Sequence, residues 1–366
     1  MRGSSRRIWK SGLNRKERMR IYPRNKPRVF ITMGDPSGIG PEVIMKSVAS
    51  PAVNGLAVFV IVADTGVMER ASRPAYAGKF KVHPLRKADS RSLKRINSEI
   101  SPEGGIIHIV DPGPSLKDVK PGRPTDEGSG KALECLAAAV GLMRHPPEDM
   151  PGAMVTAPVS KEGIARICPG FTGHTEYLHE AGPAKPVTMV MIGETLCVVP
   201  VTRHIPLKDV ASRLTADLLA ETLVQVSENR LLICGKKDAI IGVCALNPHC
   251  GEGGSIGREE IDIIVPAIEK ARDSCGGIKG PISADVIFYK AMKKEIDIVV
   301  SMYHDQCLAP FKMVDFNRGV NMTLGLGYVR TSPGHGTAFD IAGKGIADPG
   351  SMERAIEVAV RAATQA

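Results

Sequence analysis

The chain has 366 residues, 43% apolar and 24% charged, and its 48 Lys and Arg against 39 Asp and Glu give a formal net charge of +9. Eleven of the basic residues and a single acid, Glu17, fall within residues 1–28, which leaves 37 bases against 38 acids beyond them. A near-neutral body argues against the broad basic face of a nucleic-acid binder, the length points to two domains, and no apolar run approaches the roughly 18 residues that span a bilayer.

Residues 1–27 read as a basic, disordered, dispensable extension, with a transit peptide or a weak nucleic-acid tail as functional alternatives. Ser5-Arg6-Arg7-Ile8-Trp9-Lys10 faintly resembles an export signal, but no apolar segment follows it. From residue 28 the pattern becomes strand, glycine turn, helix. Residues 28–33 form an apolar β-run, Gly34 to Gly40 a turn, and Pro41-Glu42 suits a first helical turn. This glycine turn is neither a GxGxxG fingerprint nor a P-loop, and its expected role is only to join strand to helix.

Further strands are expected at 56–63, 105–110, 154–156, 188–192, 196–201, 239–246 and 297–302, and helices at 64–71, 130–143, 216–229, 258–273 and 351–363. Pro- and Gly-rich residues 111–130 read as a long loop. Continuous apolar strands alternating with amphipathic helices indicate an α/β fold with mostly parallel sheets covered on both faces. Eight Cys without a CxxC pair read as reduced thiols of a cytoplasmic protein.

Chemistry concentrates where strands meet loops, the usual place for an α/β active site. Five of the nine His (His174, His204, His249, His304 and His335) sit at such transitions among small or polar neighbours. Three converging imidazoles would bind Zn²⁺ or a related ion with a position open for substrate, but spacing alone does not establish convergence. Lys312, Arg318, Asn321 and Arg330 form a cationic, amide-bearing group suited to a phosphorylated acid. In the glycine-rich run 334–349, Gly336 permits close ligand approach and Asp340 can accept from a ribose.

Taken together, ITMGDPSGIGPE (31–42), TAPVSKEGI (156–164), FTGHTEYL (171–178), TRHIPL (202–207), NPHCGEGGSIGREEID (247–262), GPISADVIF (280–288), MYHDQCLAPFK (302–312) and GVNMTLGLGYVRTS (319–332) resemble the 4-hydroxythreonine-4-phosphate dehydrogenase family of vitamin B6 biosynthesis. The run 335–349 is similar to the adenosine-binding loop of the isocitrate and isopropylmalate dehydrogenase fold. The resemblance implies two α/β/α domains with a central cleft, residues 28–155 with 305–366, and residues 156–304, the latter carrying a homodimer interface near the active site.

It further implies a divalent ion (Zn, Mg or Co) on His204, His249 and His304, and substrate contacts from His174, Thr175, Lys312, Asn321 and Arg330. NAD, or NADP, would lie on His335, Gly336, Asp340 and Ile341, and Asp285 or Lys161 would be the base. The implied reaction is oxidation of 4-phosphooxy-L-threonine at C3 followed by decarboxylation to 3-amino-2-oxopropyl phosphate. Alternatives are a dehydrogenase of erythronate or threonate 4-phosphate, a dihydrodiol carboxylate dehydrogenase, and, from another class, a zinc hydrolase. Against the family pattern the chain carries Cys307 for Gly, Cys250 for Ala, Gly327 for Pro and Gly334 for Asp, which puts two thiols close to expected metal ligands.

Overall fold

The computed structural model describes residues 26–73, 79–87, 89–100, 106–146, 152–182 and 186–365; the leader, apart from Lys26 and Pro27, lies outside them. The described strands are β1 (Arg28–Thr32), β2 (Val58–Val62), β3 (Lys79–Leu85), β4 (Ile106–Pro112), β5 (Gly152–Thr156), β6 (Thr188–Ile192), β7 (Cys197–Pro200), β8 (Ile241–Cys244), β9 (Ile278–Ile282), β10 (Ile298–Ser301), β11 (Val320–Leu324) and β12 (Val329–Pro333). By internal packing the described residues divide into a first unit, those within 26–182 and 328–364, and a second, those within 186–327 with 365.

In the first unit the strands run β3-β4-β2-β1-β5-β12, all parallel. Every residue of β1 and β2 is buried, as continuous apolar runs require when helices cover both faces of a sheet. The helix Asp126–Arg144 begins four residues before the expected 130, because the Thr125 side chain accepts the Gly128 N–H and Asp126 and Glu127 suit the positive helix start. The helix Gly350–Ala363 buries Met352, Ala355, Ile356 and Ala359.

In the second unit the order is β11-β6-β7-β10-β8-β9. The strand β10 is parallel to β7 and β8, and β8 to β9, whereas β6 runs antiparallel to both β7 and β11. The turn between β6 and β7 is closed by the buried Asp315 carboxylate, which accepts the N–H groups of Glu194, Thr195 and Leu196 at 2.9–3.2 Å. Met189, Leu196, Val198, Ile287, Val299, Leu308 and Phe311 belong to one core cluster. The helix expected over 258–273 starts as a π-turn, Glu260–Ile264, and continues as Val265–Arg272.

Four strands escape a hydrophobicity pattern: β3 is rich in Lys and His, β9 carries Gly and Pro, and β11 and β12 hold Asn321 and Arg330. No helix among the described residues is long and apolar enough to cross a membrane.

Candidate active site

In the first unit, β1 and β5 end side by side, with Thr32 in register with Thr156. Arg330 on β12 is 2% exposed, and its Nη2 donates to Thr156 Oγ1 at 2.5 Å. Burial pushes this guanidinium down to about 10, so it remains a cation at neutral pH. His174 opens the helix His174–Glu180, with Thr175 half-buried beside it. The His174 Nε2 is enclosed and has no hydrogen-bond partner. Burial, reinforced by the Arg330 and Lys161 cations, pushes His174 down to about 3, so it is a neutral ring with one nitrogen available to a ligand.

Lys161 begins the helix Lys161–Ile167, which Ser160 caps by accepting the Gly163 N–H at 3.0 Å. A Cβ at Gly173 would sit 3.4 Å from Lys161 Nζ, so the ammonium lies against the approach to His174. His174, Thr175, Arg330 and Lys161 thus belong to one unit and supply one neutral acceptor-donor and two cations. That set suits an anionic, hydroxylated ligand.

The second unit holds the other expected residues. His204 follows β7 and His304 opens the helix His304–Asp315 after β10; their ring centroids are 5.6 Å apart at an interplanar angle of 48°. His304 Nδ1 pairs with Asp305 Oδ1 at 2.7 Å, leaving Nε2 for another partner, the arrangement in which a carboxylate orients a metal-binding imidazole. Asp285 is exposed and accepts Ser283 Oγ–H at 2.5 Å. That bond, helped by His249, holds its carboxyl below the usual range.

His249 is held differently. Residues 249–253 pass through five successive left-handed conformations, with φ of 50° at His249, 58° at Cys250 and 42° at Glu252, costly for residues with a Cβ. The buried Glu260 carboxylate supports this turn, accepting the N–H of Leu246 at 2.8 Å and of Asn247 at 2.7 Å. His249 Nδ1 meets Glu252 Oε1 at 2.8 Å, which raises its pKa, and the side chain is 66% exposed.

No group of three His, Cys, Asp or Glu side chains converges on one point among the described residues, so a single chain unites His204 with His304 and leaves His249 apart. The pair fits a divalent ion as two of its ligands. The two neighbouring thiols do not add to it: Cys307 is fully buried with its Sγ–H on the His304 carbonyl, and Cys250 lies 3.9 Å from the Pro281 carbonyl. Asn321 on β11 has an enclosed Oδ1 without a partner, while Lys312 is exposed on the helix that His304 opens.

The glycine-rich run leaves β12 in the first unit. His335 Nδ1 contacts the Gly336 carbonyl at 3.1 Å and its Nε2 is enclosed without a partner. Ala338 turns the chain at φ 42°, and Ile341 N–H donates to its carbonyl at 3.2 Å, with Asp340 exposed between them. The turn Gly34 to Gly40 does more than join strand to helix, because Ile39 N–H donates to the Thr337 carbonyl at 2.9 Å. Glu42, Lys46 and Glu260 shape these loops, a role that the sequence did not signal: Glu42 reads there only as suiting a first helical turn.

A family model described as pyridoxal phosphate biosynthetic protein PdxA matches residues 56–359. A 4-hydroxythreonine-4-phosphate dehydrogenase of Geobacter metallireducens is 40% identical over 93% of this chain and 97% of its own length. A D-threonate 4-phosphate dehydrogenase of Cupriavidus necator is 36% identical over 93% of the chain and 98% of its own. Among solved structures, the 4-hydroxythreonine-4-phosphate dehydrogenase of Klebsiella pneumoniae aligns with a TM-score of 0.76 and 31% identity, covering 92% of this chain and all of that one.

Proposed function

The chain belongs to the PdxA family of pyridoxal phosphate biosynthetic proteins, and on that premise we propose that it is an NAD-dependent dehydrogenase that oxidises 4-phosphooxy-L-threonine at C3 and releases CO₂ to give 3-amino-2-oxopropyl phosphate. The observation that carries the substrate assignment is His174: a neutral imidazole with an enclosed, partnerless Nε2, flanked by the Arg330 and Lys161 cations. A phosphorylated acid meets all three needs at once, supplying negative charge to the cations and a hydroxyl or carboxyl oxygen to the ring.

In the reaction the C3 carbon gives a hydride to NAD⁺ and its hydroxyl gives up a proton; the resulting β-keto acid then loses its carboxyl group as CO₂. A divalent ion on His204 and His304, when bound, supplies Lewis acidity toward the developing negative charge on oxygen. Asp285 stays ionised at neutral pH and is the group assigned to receive the hydroxyl proton. Lys161 and Arg330 hold the anionic end, with Thr175, Lys312 and Asn321 completing the contacts, so that the C3–H bond keeps a fixed orientation. His335, Gly336, Asp340 and Ile341 receive the dinucleotide.

The same reading makes the protein a homodimer. One chain unites two imidazoles, and the exposed His249, held out on its left-handed turn, completes the ligand set of a second copy. Eight free cysteines support a cytoplasmic location.

The Cupriavidus relative favours one second reading, threonate 4-phosphate as substrate, which differs at C2 by a hydroxyl for an amino group. The test is NADH absorbance with each phosphate in turn. Turnover with 4-phosphooxy-L-threonine carries the first reading; turnover confined to threonate 4-phosphate replaces it with the second.

A further inference from the structure

The proposed dinucleotide loop has no ladder of its own. Between β12 and the helix Gly350–Ala363 it turns at positive φ at Ala338, Gly343 and Gly345, and a Cβ at Gly336 or Gly345 would meet nothing within 4 Å. Its shape is therefore set from outside, by the turn Pro121–Gly122, which packs against Phe339 and Gly343, and by the helix Gly40–Ala49, which makes the polar contacts.

Two contacts tie it there. At the helix start, Ile39 N–H holds the Thr337 carbonyl, and Gly38 packs so closely that a Cβ would lie 2.9 Å from that oxygen. One turn further on, Glu42 and Lys46 act as a pair. Lys46 Nζ donates to the carbonyls of Gly345 and Ala347 and to Glu42 Oε1, each at 2.8 Å, which uses all three ammonium protons. Glu42 Oε1 in turn accepts the Ala347 N–H at 3.0 Å. Both side chains are mostly covered, 14% and 24% exposed, so water competes weakly for these bonds.

We propose that Glu42 and Lys46 are positioning residues for NAD: by clamping residues 345–347 they hold the loop from His335 to Ile341 in the shape that receives the dinucleotide. The inference rests on the reading of that loop as the cofactor site. With Lys46 Nζ and Glu42 Oε1 engaged in the clamp, the pair acts on the loop and not at the reacting atoms. Loosening the clamp means that the cofactor must order the loop as it binds, which weakens affinity for NAD and leaves the chemical step alone.

The test is a fluorescence titration of the full-length protein with NADH, run beside steady-state kinetics, for Lys46→Met, Glu42→Ala, Glu42→Gln and His335→Ala. Expected is a rise of about tenfold in Kd for NADH and in KM for NAD⁺ in Lys46→Met and Glu42→Ala. At saturating NAD⁺, kcat and the KM for the phosphorylated substrate stay within twofold. Glu42→Gln keeps an acceptor for Ala347 and weakens NADH less than Glu42→Ala.

If His335→Ala weakens NADH while the Glu42 and Lys46 variants do not, the clamp is refuted and the loop assignment stands. Should all four bind NADH as the parent does, the loop assignment fails and the inference with it. A fall in kcat together with a rise in both KM values would make the pair a general structural support, which also overturns the proposal. Should Lys46→Met not fold, the contrast between Glu42→Gln and Glu42→Ala decides alone.

Discussion

The rings of His204 and His304 face each other with centroids 5.6 Å apart, brought from the ends of two adjacent parallel strands, β7 and β10. His304 gives its Nδ1 to Asp305 and keeps Nε2 for a further partner. Replacing His304 by Ala is expected to strip the bound divalent metal and lower kcat at least 100-fold, whereas Asp305→Asn, which only loosens the ring, is expected to weaken metal affinity about 10- to 100-fold. Metal content after gel filtration, by plasma mass spectrometry, checks both; full occupancy in His304→Ala contradicts the assignment.

Arg330 holds its charge in the protein interior with Thr156 as a neighbour. A Lys there keeps the charge but loses the planar fork, so Arg330→Lys is expected to raise the KM for the phosphorylated substrate about tenfold, worth about 1.4 kcal/mol, with the KM for NAD⁺ unchanged. Steady-state kinetics with each substrate varied separately measures this.

Glu260 joins the left-handed turn to the body of the second unit. Its loss leaves the part-buried N–H groups of Leu246 and Asn247 without their acceptor, and Glu260→Ala is expected to cost about 1–3 kcal/mol. Urea unfolding reads the cost. The same variant is expected to lose metal with the parent fold retained, because His249 is no longer aimed.

At the edge of the first unit, His83 and His108 stack with Nε2 and Nδ1 2.9 Å apart, and Glu99 lies 3.3 Å from the other His83 nitrogen. Burial lowers the His83 pKa below its ordinary 6.5, outweighing Glu99, while Lys81 adds to the lowering. The unfolded chain therefore binds a proton more readily than the folded one. The stabilising contribution is complete above about pH 6.5 and declines as pH falls below it, by up to about 1.4 kcal/mol per pH unit for the one proton. Urea midpoints at pH 7.5 and 5.5 test this, and His83→Gln is expected to flatten the difference.

Much of the first unit was legible in the sequence, because β2 is an uninterrupted apolar run, β1 and β5 have apolar centres, and such strands are buried on both faces. The strands β11 and β12 were not, because each spends interior positions on polar side chains, Asn321 and Arg330. The helices His174–Glu180 and His304–Asp315 were missed for a related reason: their first residues read as loop chemistry, and Pro310 sits inside the second.

Candidate site residues were legible as types in motifs, but their grouping was not. Sequence spacing puts His249 on an equal footing with His204 and His304, whereas the structure pairs only the latter two rings and places His249 on a left-handed turn. The same holds for Glu42, which reads as a helix-start acid and proves to be bonded to Ala347, 305 positions away.

The reaction is measured directly as NADH formation at 340 nm by the purified full-length protein given 4-phosphooxy-L-threonine, NAD⁺ and a divalent metal. The expected result is metal-dependent NADH formation matched mole for mole by CO₂. No NADH formation with this substrate, with the metal bound and the protein folded, contradicts the account.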